Sequence, residues 1–231
     1  MKLELLQALN TAREAKQRAC LVRRLGDHAQ TLVVDGAVAA GAPIDATIVE
    51  AVDKAHRQDR SVTIDEAGER YFLQIFNPPL RLIVVGAVHI AQALVPVAAI
   101  TGYAVTVVDP RRGFASDARF PDVTLVSEWP DEAMEALAPD RRTAVVTLTH
   151  DPKLDDPALD IALRSEAFYI AALGSRRTHA GRIERLKALG HRDGVIAKIF
   201  GPAGLDIGAV SPAEIAISIM AEMTAALRRG G

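Results

Sequence analysis

The sequence predicts an α/β protein in which a Rossmann-like parallel sheet, with helices on both faces, follows a small α+β domain. Three observations carry that prediction. From residue 81 onward, short β-branched runs alternate with helical patterns, the mark of strand–helix–strand units and a parallel sheet. Before residue 77, strand candidates come in pairs around turn dipeptides, the mark of hairpins. Between the two regimes stands Asn77-Pro78-Pro79, whose prolines remove two donors and stiffen the backbone. The expected domains are therefore residues 1–78 and 79–231.

Taken in order, residues 2–18 set Leu3, Leu6 and Leu9 at helical spacing among charges, which predicts an amphipathic helix. Cys20–Arg23 and Thr31–Val34 read as short strands, with turns at Gly26-Asp27 and Asp35-Gly36. Asp45–Arg57 reads as a helix with Ile48 and Val52 inward and Asp45 placed to cap it. Ser61–Asp65 and Arg70–Phe76 form a hairpin around Ala67-Gly68. Beyond the prolines the predicted strands are Arg81–Val85, Ala104–Val108, Val123–Val126, Thr143–Thr149, Ala167–Leu173 and Ile196–Phe200. The predicted helices are His89–Ile100, Asp131–Leu137, Pro157–Arg164, Thr178–Leu189 and Pro212–Arg228, with a kink expected at Pro96.

Composition narrows the function classes. An apolar content of 49% suffices for a real core, and a net charge of −2 argues against electrostatic capture of nucleic acid. Cys20 stands alone, so neither an internal disulfide nor a multi-cysteine metal site is open to the chain. Flanked by Ala19 and Leu21, it reads as a buried structural thiol. Charge is mixed through residues 1–24 with no signal-peptide core, so a cytoplasmic protein is expected. Leu82–Val108 carries no Asp, Glu, Lys or Arg and is long enough to span a bilayer. Gly86, His89, Gln92, Pro96 and Gly102 interrupt it, however, and its ends are β-rich. A buried strand–helix–strand unit is expected there, not a membrane span.

In an open parallel sheet, ligands bind outside the carboxyl ends of the strands, which directs attention to five loops. The first, Gly86-Ala87-Val88-His89-Ile90-Ala91, has the position of a dinucleotide fingerprint, with Asp109 where a ribose-binding acid would stand. Val88 replaces the glycine that lets a pyrophosphate approach, so NAD(P) is not expected. His89 reads either as a donor to an anion or as a local cap. The second loop, Asp109-Pro110-Arg111-Arg112-Gly113-Phe114, joins an acid, a rigid turn and two cations. The third is His150-Asp151-Pro152-Lys153, without metal-ligand spacing or an evident nucleophile. In the fourth, Gly174-Ser175-Arg176-Arg177-Thr178-His179, a strand passes into a helix whose amides, with two arginines, suit an anion. The fifth runs from Gly201 through Gly204, Asp206 and Gly208 to Ser211-Pro212-Ala213-Glu214, a capping box. Behind it, Glu214, Ser218 and Glu222 form a stripe that reads as a solvated helix edge.

With these loops laid out, the chain resembles the xanthine dehydrogenase accessory family, of XdhC/CoxI type, over about residues 80–228. The resemblance rests on Val108-Asp109-Pro110-Arg111 with Arg119-Phe120-Pro121, on Thr149-His150-Asp151 and on Tyr169-Ile170-Ala171-Ala172-Leu173-Gly174-Ser175-Arg176. It rests also on Gly204-Leu205-Asp206-Ile207-Gly208 with Pro212-Ala213-Glu214-Ile215-Ala216. It implies a chaperone that binds the molybdenum cofactor, protects it during sulfuration and passes it to a molybdenum hydroxylase. A cysteine desulfurase is then implied as sulfur donor. Gly86, His89, Asp109, Arg111, His150, Asp151, Gly174, Ser175, Arg176, Gly204 and Asp206 are the cofactor-binding candidates. Two departures stand out: Gly86-Ala87-Val88-His89 where the family usually has Gly-x-Gly-His, and Ala42-Pro43-Ile44-Asp45 in place of a glycine run before an acid. An NAD(P)-dependent oxidoreductase and a partner-binding scaffold without cofactor are the rival readings. A homodimer is also open, because a small N-terminal domain has apolar surface to cover.

Overall fold

The computed structural model describes residues 2–111 and 113–229. The chain divides into two compact units, between Pro78 and Pro79. In the first, helix α1 (Leu3–Glu14) precedes β1 (Ala19–Arg24), β2 (Gln30–Val34) and β3 (Ala37–Gly41). Helix α2 (Ala46–Arg57), β4 (Val62–Glu66) and β5 (Glu69–Phe76) complete it. The strands form one antiparallel sheet in the order β3-β2-β1-β5-β4. Alternation along β1 serves both faces: Cys20 and Val22 pack with Ile48 and Val52 of α2, while Ala19 and Leu21 pack with Leu5 and Leu9 of α1. Cys20 is fully buried, and burial pushes its thiol up to about 12. Strand β3 was not predicted; its sequence, Ala-Val-Ala-Ala-Gly, is mostly exposed and carries little strand propensity. Asp45 stands at the N-cap of α2 but its side chain makes no capping hydrogen bond.

The second unit runs β6 (Leu80–Val85), α3 (His89–Ile100), β7 (Tyr103–Val108), β8 (Thr124–Val126), α4 (Pro130–Leu137) and β9 (Thr143–Thr147). It continues through α5 (Pro152–Arg164), β10 (Tyr169–Ala172), α6 (Arg176–Ala188), α7 (Asp193–Ile196), β11 (Ile199–Phe200) and α8 (Pro212–Arg229). All six strands are parallel, in the order β11-β10-β9-β6-β7-β8. That is the doubly wound Rossmann order, with its switch point between β6 and β9. Both faces are covered. Leu82 and Val84 of β6 pack in one core with Leu94 of α3 and Ile219 of α8, and Ile83 and Val85 pack in the other with Leu159 of α5 and Leu186 of α6. This two-sided burial is why the strand reads as a continuous apolar run. Truncating a fully buried residue such as Leu82 to Ala removes about 2–5 kcal/mol. Pro96 lies inside α3.

Several boundaries move from the sequence reading, three of them for a local reason. Helix α5 starts at Pro152, not Pro157, because Asp151 caps it through Lys153 N at 3.0 Å and Pro152 takes the first turn. Strand β9 stops at Thr147, since His150 adopts a left-handed φ of +63° and the chain turns. The last strand shrinks to Ile199–Phe200, as residues 193–196 are helical. Among the described residues no helix is long and apolar enough to cross a membrane.

Candidate functional site

The strand order brings the loops after β6 and β9 together at the switch point. Gly86 has φ +110°, and a Cβ there would lie 2.5 Å from Thr149 Cγ2. Glycine at 86 is therefore required by its own neighbours, whatever a ligand needs. Its N–H donates to Val108 O at 2.8 Å, and Leu148 N donates to Val85 O at 2.9 Å. Val88 occupies the N-cap of α3 without a side-chain cap, so the first-turn amides of α3 have no capping side chain. His89, the first residue of that helix, is exposed and is not the cap.

Asp109, at the end of β7, is fully buried. Its carboxylate accepts from Ala87 N at 2.8 Å, from Arg111 N at 3.0 Å, and from Arg111 Nε and Nη2 at 2.8 and 2.7 Å. Burial alone would raise its pKa; the bonds from Arg111 and Ala87 overcome this and hold it below the ordinary carboxylate range. Its acceptor capacity is thus spent on the chain itself. The fork takes one edge of the Arg111 guanidinium, while Phe114 lies 4.5 Å from its centre. The charges of Asp151 and Asp155 add to that of Asp109 in stabilising the arginine's charge, so the loops after β7 and β9 are neighbours. Arg112 lies outside the described residues. Farther along the same loop, Arg119 Nη1 donates to Phe114 O at 2.7 Å and Nη2 to Gln92 Oε1 at 3.0 Å, tying the loop to α3.

After β9, a second buried acid organises the backbone. Asp155 accepts from Thr149 Oγ1 at 2.6 Å, Thr149 N at 3.3 Å and His150 N at 3.1 Å. Burial raises its pKa, and the Thr149 bonds and the charge of Arg182 pull it back. Arg182 of α6 is buried 3.7 Å from Asp155 Oδ2. The His150 side chain faces solvent, and Asp151 serves as the cap of α5.

After β10, Gly174 turns the chain at φ +141° and Ser175 caps α6, its Oγ accepting from Thr178 N at 3.1 Å. Arg176 and Arg177 open the helix and are exposed, with no ion-pair partner among the described residues. Their amides precede any intrahelical acceptor.

After β11, Gly204 has φ +94° and no room for a Cβ, which would overlap Ser218 Oγ. Gly204 N donates to Glu222 Oε2 at 2.8 Å, and the same oxygen accepts from the Tyr169 hydroxyl at 2.7 Å. Tyr169 is buried, and burial with the carboxylate beside it pushes its pKa well above the usual phenol range. Glu222 therefore anchors the glycine loop, and Ser218 is buried; the solvated-edge reading of that stripe fails for both. Glu214 does complete the capping box, accepting from Ser211 N at 2.7 Å while Glu214 N donates to Ser211 Oγ at 3.3 Å. Asp206 is exposed on the loop.

The five loops make one continuous rim at the carboxyl edge of the sheet. Its buried carboxylates, Asp109 and Asp155, face inward and are consumed by backbone amides and arginines. Outward it presents the α3 and α6 amides, His89, His150, Arg176, Arg177 and the free edge of Arg111, together with two exposed carboxylates, Asp151 and Asp206. Two strand spacings, about 10 Å, separate β6 from β10, and α3 and α6 start on opposite faces of the sheet. Among the described residues no group of three or more His, Cys, Asp or Glu could hold a metal ion. Asp155 and Arg182 escaped sequence reasoning, and Glu222 reads from the sequence only as part of a solvated edge. The available signal was a charge on an otherwise apolar helix face, beside Leu154, Leu186 and Met223.

The profile of the XdhC Rossmann domain family matches residues 82–223, more than half of the chain. A Bacillus subtilis (strain 168) protein named as a probable xanthine dehydrogenase subunit is 31% identical over 159 residues, covering 68% of this chain and 46% of that protein. The molybdenum cofactor insertion chaperone PaoD of Escherichia coli (strain K12) is 32% identical over 148 residues, covering 64% and 40%. A crystal structure described as a xanthine dehydrogenase from Bacillus halodurans matches with a TM-score of 0.76 at 26% identity, over 99% of this chain and 68% of that one. The chain spans less than half the length of these two curated relatives.

Proposed function

The chain belongs to the XdhC family, and from that membership we propose that it is an accessory protein that holds the molybdenum cofactor and delivers it to a xanthine dehydrogenase-type molybdenum hydroxylase. The cofactor is cargo here, and the protein is a carrier with no turnover chemistry of its own. One relative is named a molybdenum cofactor insertion chaperone and another a probable xanthine dehydrogenase subunit, which supports this reading. The observation that carries it is the cluster of donors at the start of α6 and beside it: Asp109 and Asp155 are buried, while Arg176, Arg177 and the free edge of Arg111 face outward. The pterin phosphate docks on the first turn of α6, with Ser175, Arg176 and Arg177 around it. His89, His150 and the free edge of Arg111 donate to the anionic and oxo groups at the other end. Gly86, Gly174 and Gly204, with Asp109 and Asp151, set the loops that present these donors; Asp206 stands at the rim of the glycine loop. Sulfuration while bound, with a cysteine desulfurase as donor, completes the proposed sequence.

The test is direct binding of isolated molybdenum cofactor. Arg176→Ala should weaken binding about tenfold, the worth of one charge-assisted phosphate contact. Unchanged affinity would reject the phosphate role. The Rossmann strand order keeps a dinucleotide oxidoreductase as the second reading. It is answered by thermal melts with NAD(H) and NADP(H), where no saturable stabilisation is expected because Asp109 is already engaged.

A further inference from the structure

We infer that Arg182 is the positioning residue of this rim, the one side chain that sets three of its loops at fixed separations; the inference rests on reading the rim as the cofactor berth. Arg182 lies on α6 and is only 1% exposed. Its Nη2 donates to Leu173 O at 2.9 Å, the carbonyl just before the Gly174 turn. The same nitrogen lies 3.7 Å from Asp155 Oδ2, and Asp155 holds the Thr149 and His150 amides. Its Nη1 lies 3.5 Å from His179 Nδ1, and the His179 ring packs on Gly201, where a Cβ would overlap the imidazole. One guanidinium thus touches the chain behind β10, the acid that shapes the loop after β9, and the ring that seats the loop after β11.

A purely stabilising role explains this poorly. A buried ion pair is weak evidence for stability, since desolvating both charges offsets most of their attraction. Burial lowers the pKa of Arg182, and its Nε has no hydrogen-bond partner, both signs of a costly placement. An apolar side chain would fill the same volume without that cost, as Leu186 does one turn farther along the helix. What the apolar residue cannot do is donate to the Leu173 carbonyl behind β10 while holding its charge 3.7 Å from the Asp155 carboxylate of α5.

The experiment compares Arg182→Gln and Arg182→Lys with Leu186→Ala, which destabilises the same helix but leaves the grip intact. Amide hydrogen exchange is read in the unliganded protein, at temperatures set equally far below each melting point. Retention of molybdenum cofactor is read in parallel. Arg182→Gln should speed exchange at residues 149–151 and 173–178 at least tenfold beyond Leu186→Ala and lower the cofactor retained. Arg182→Lys, which keeps the charge but not the fork, should fall between. Exchange in Arg182→Gln equal to that in Leu186→Ala overturns the inference, as does loss of retention in all three variants in proportion to lost stability. If the wild type retains no cofactor, the berth reading falls, and the exchange comparison alone decides whether Arg182 positions the loops.

Discussion

Replacing Asp109 by Asn isolates the element that closes the β6–β7 end of the rim. Asn keeps the shape and one carbonyl oxygen. Placed at Oδ1, that oxygen still accepts from Arg111 N and Nε, but an NH2 then faces Ala87 N and Arg111 Nη2. Two donors lose their acceptor, Ala87 N in a fully buried position and Arg111 Nη2 on a partly exposed side chain, and Arg111 loses its counter-charge. Unpaired buried groups cost about 1–3 kcal/mol each. Arg111 is 38% exposed in its side chain, so water recovers part of its share. A net loss of about 2–4 kcal/mol follows, which lowers the melting temperature by about 5–12 °C for a domain of this size. Calorimetry at pH 7 measures it. The dependence on pH carries a sign. The folded pKa lies below the ordinary 3.8, so the stabilisation is complete above that value and disappears as pH falls through the folded pKa. The gap between wild type and variant should hold constant near neutrality and close in acid. A shift under about 2 °C, or a gap that widens in acid, would mean that Asp109 does not hold Ala87 and Arg111 in this way.

Three further outcomes follow from the same geometry. Glu222→Ala should cost about 2–4 kcal/mol by stranding Gly204 N–H and the Tyr169 hydroxyl, whereas Glu222→Gln, whose amide oxygen can accept both, should cost under about 1 kcal/mol by urea melts. Gly204→Ala should destabilise by about 1–3 kcal/mol, through a left-handed φ and overlap with Ser218, and Ser218→Ala should rescue it only in part because Ile219 N lies 3.1 Å away. Burial, helped by the charge of Arg182, lowers the pKa of His179, so the unfolded chain takes up its proton first and stability falls as pH drops below about 6.5. His179→Gln should flatten that slope in equilibrium unfolding measured from pH 7 to 5.

Much of the second unit was legible because its strands are buried on both sides and its helices are not. The charge-free stretch 82–108 resolved into β6, α3 and β7, and α3 begins and ends where its pattern does, at His89 and Ile100. The capping box at Ser211–Glu214 was equally readable, since cap and helix are neighbours in sequence. What escaped depends on distant partners. Pro157 looks like a helix start, yet Asp151 and Pro152 supply an earlier one, and the helix tolerates a proline inside it. Glu222 looks like a solvated edge until β10 and the glycine loop bring Tyr169 and Gly204 to it from 53 and 18 residues away. The five loops could be found from the ends of strands, but not which acids face inward. Asp109 and Asp155 differ from Asp151 only in what the fold packs around them.

If the outward donors of this rim hold a negatively charged pterin, the pterin itself is the most direct witness. The protein is purified from a molybdenum-replete host, denatured under oxidising conditions, and the released pterin is quantified by fluorescence against protein. The pterin signal should stand well above that of an unrelated protein from the same host and should fall in Arg176→Ala and in Arg177→Ala. A wild-type signal no higher than that control would contradict it.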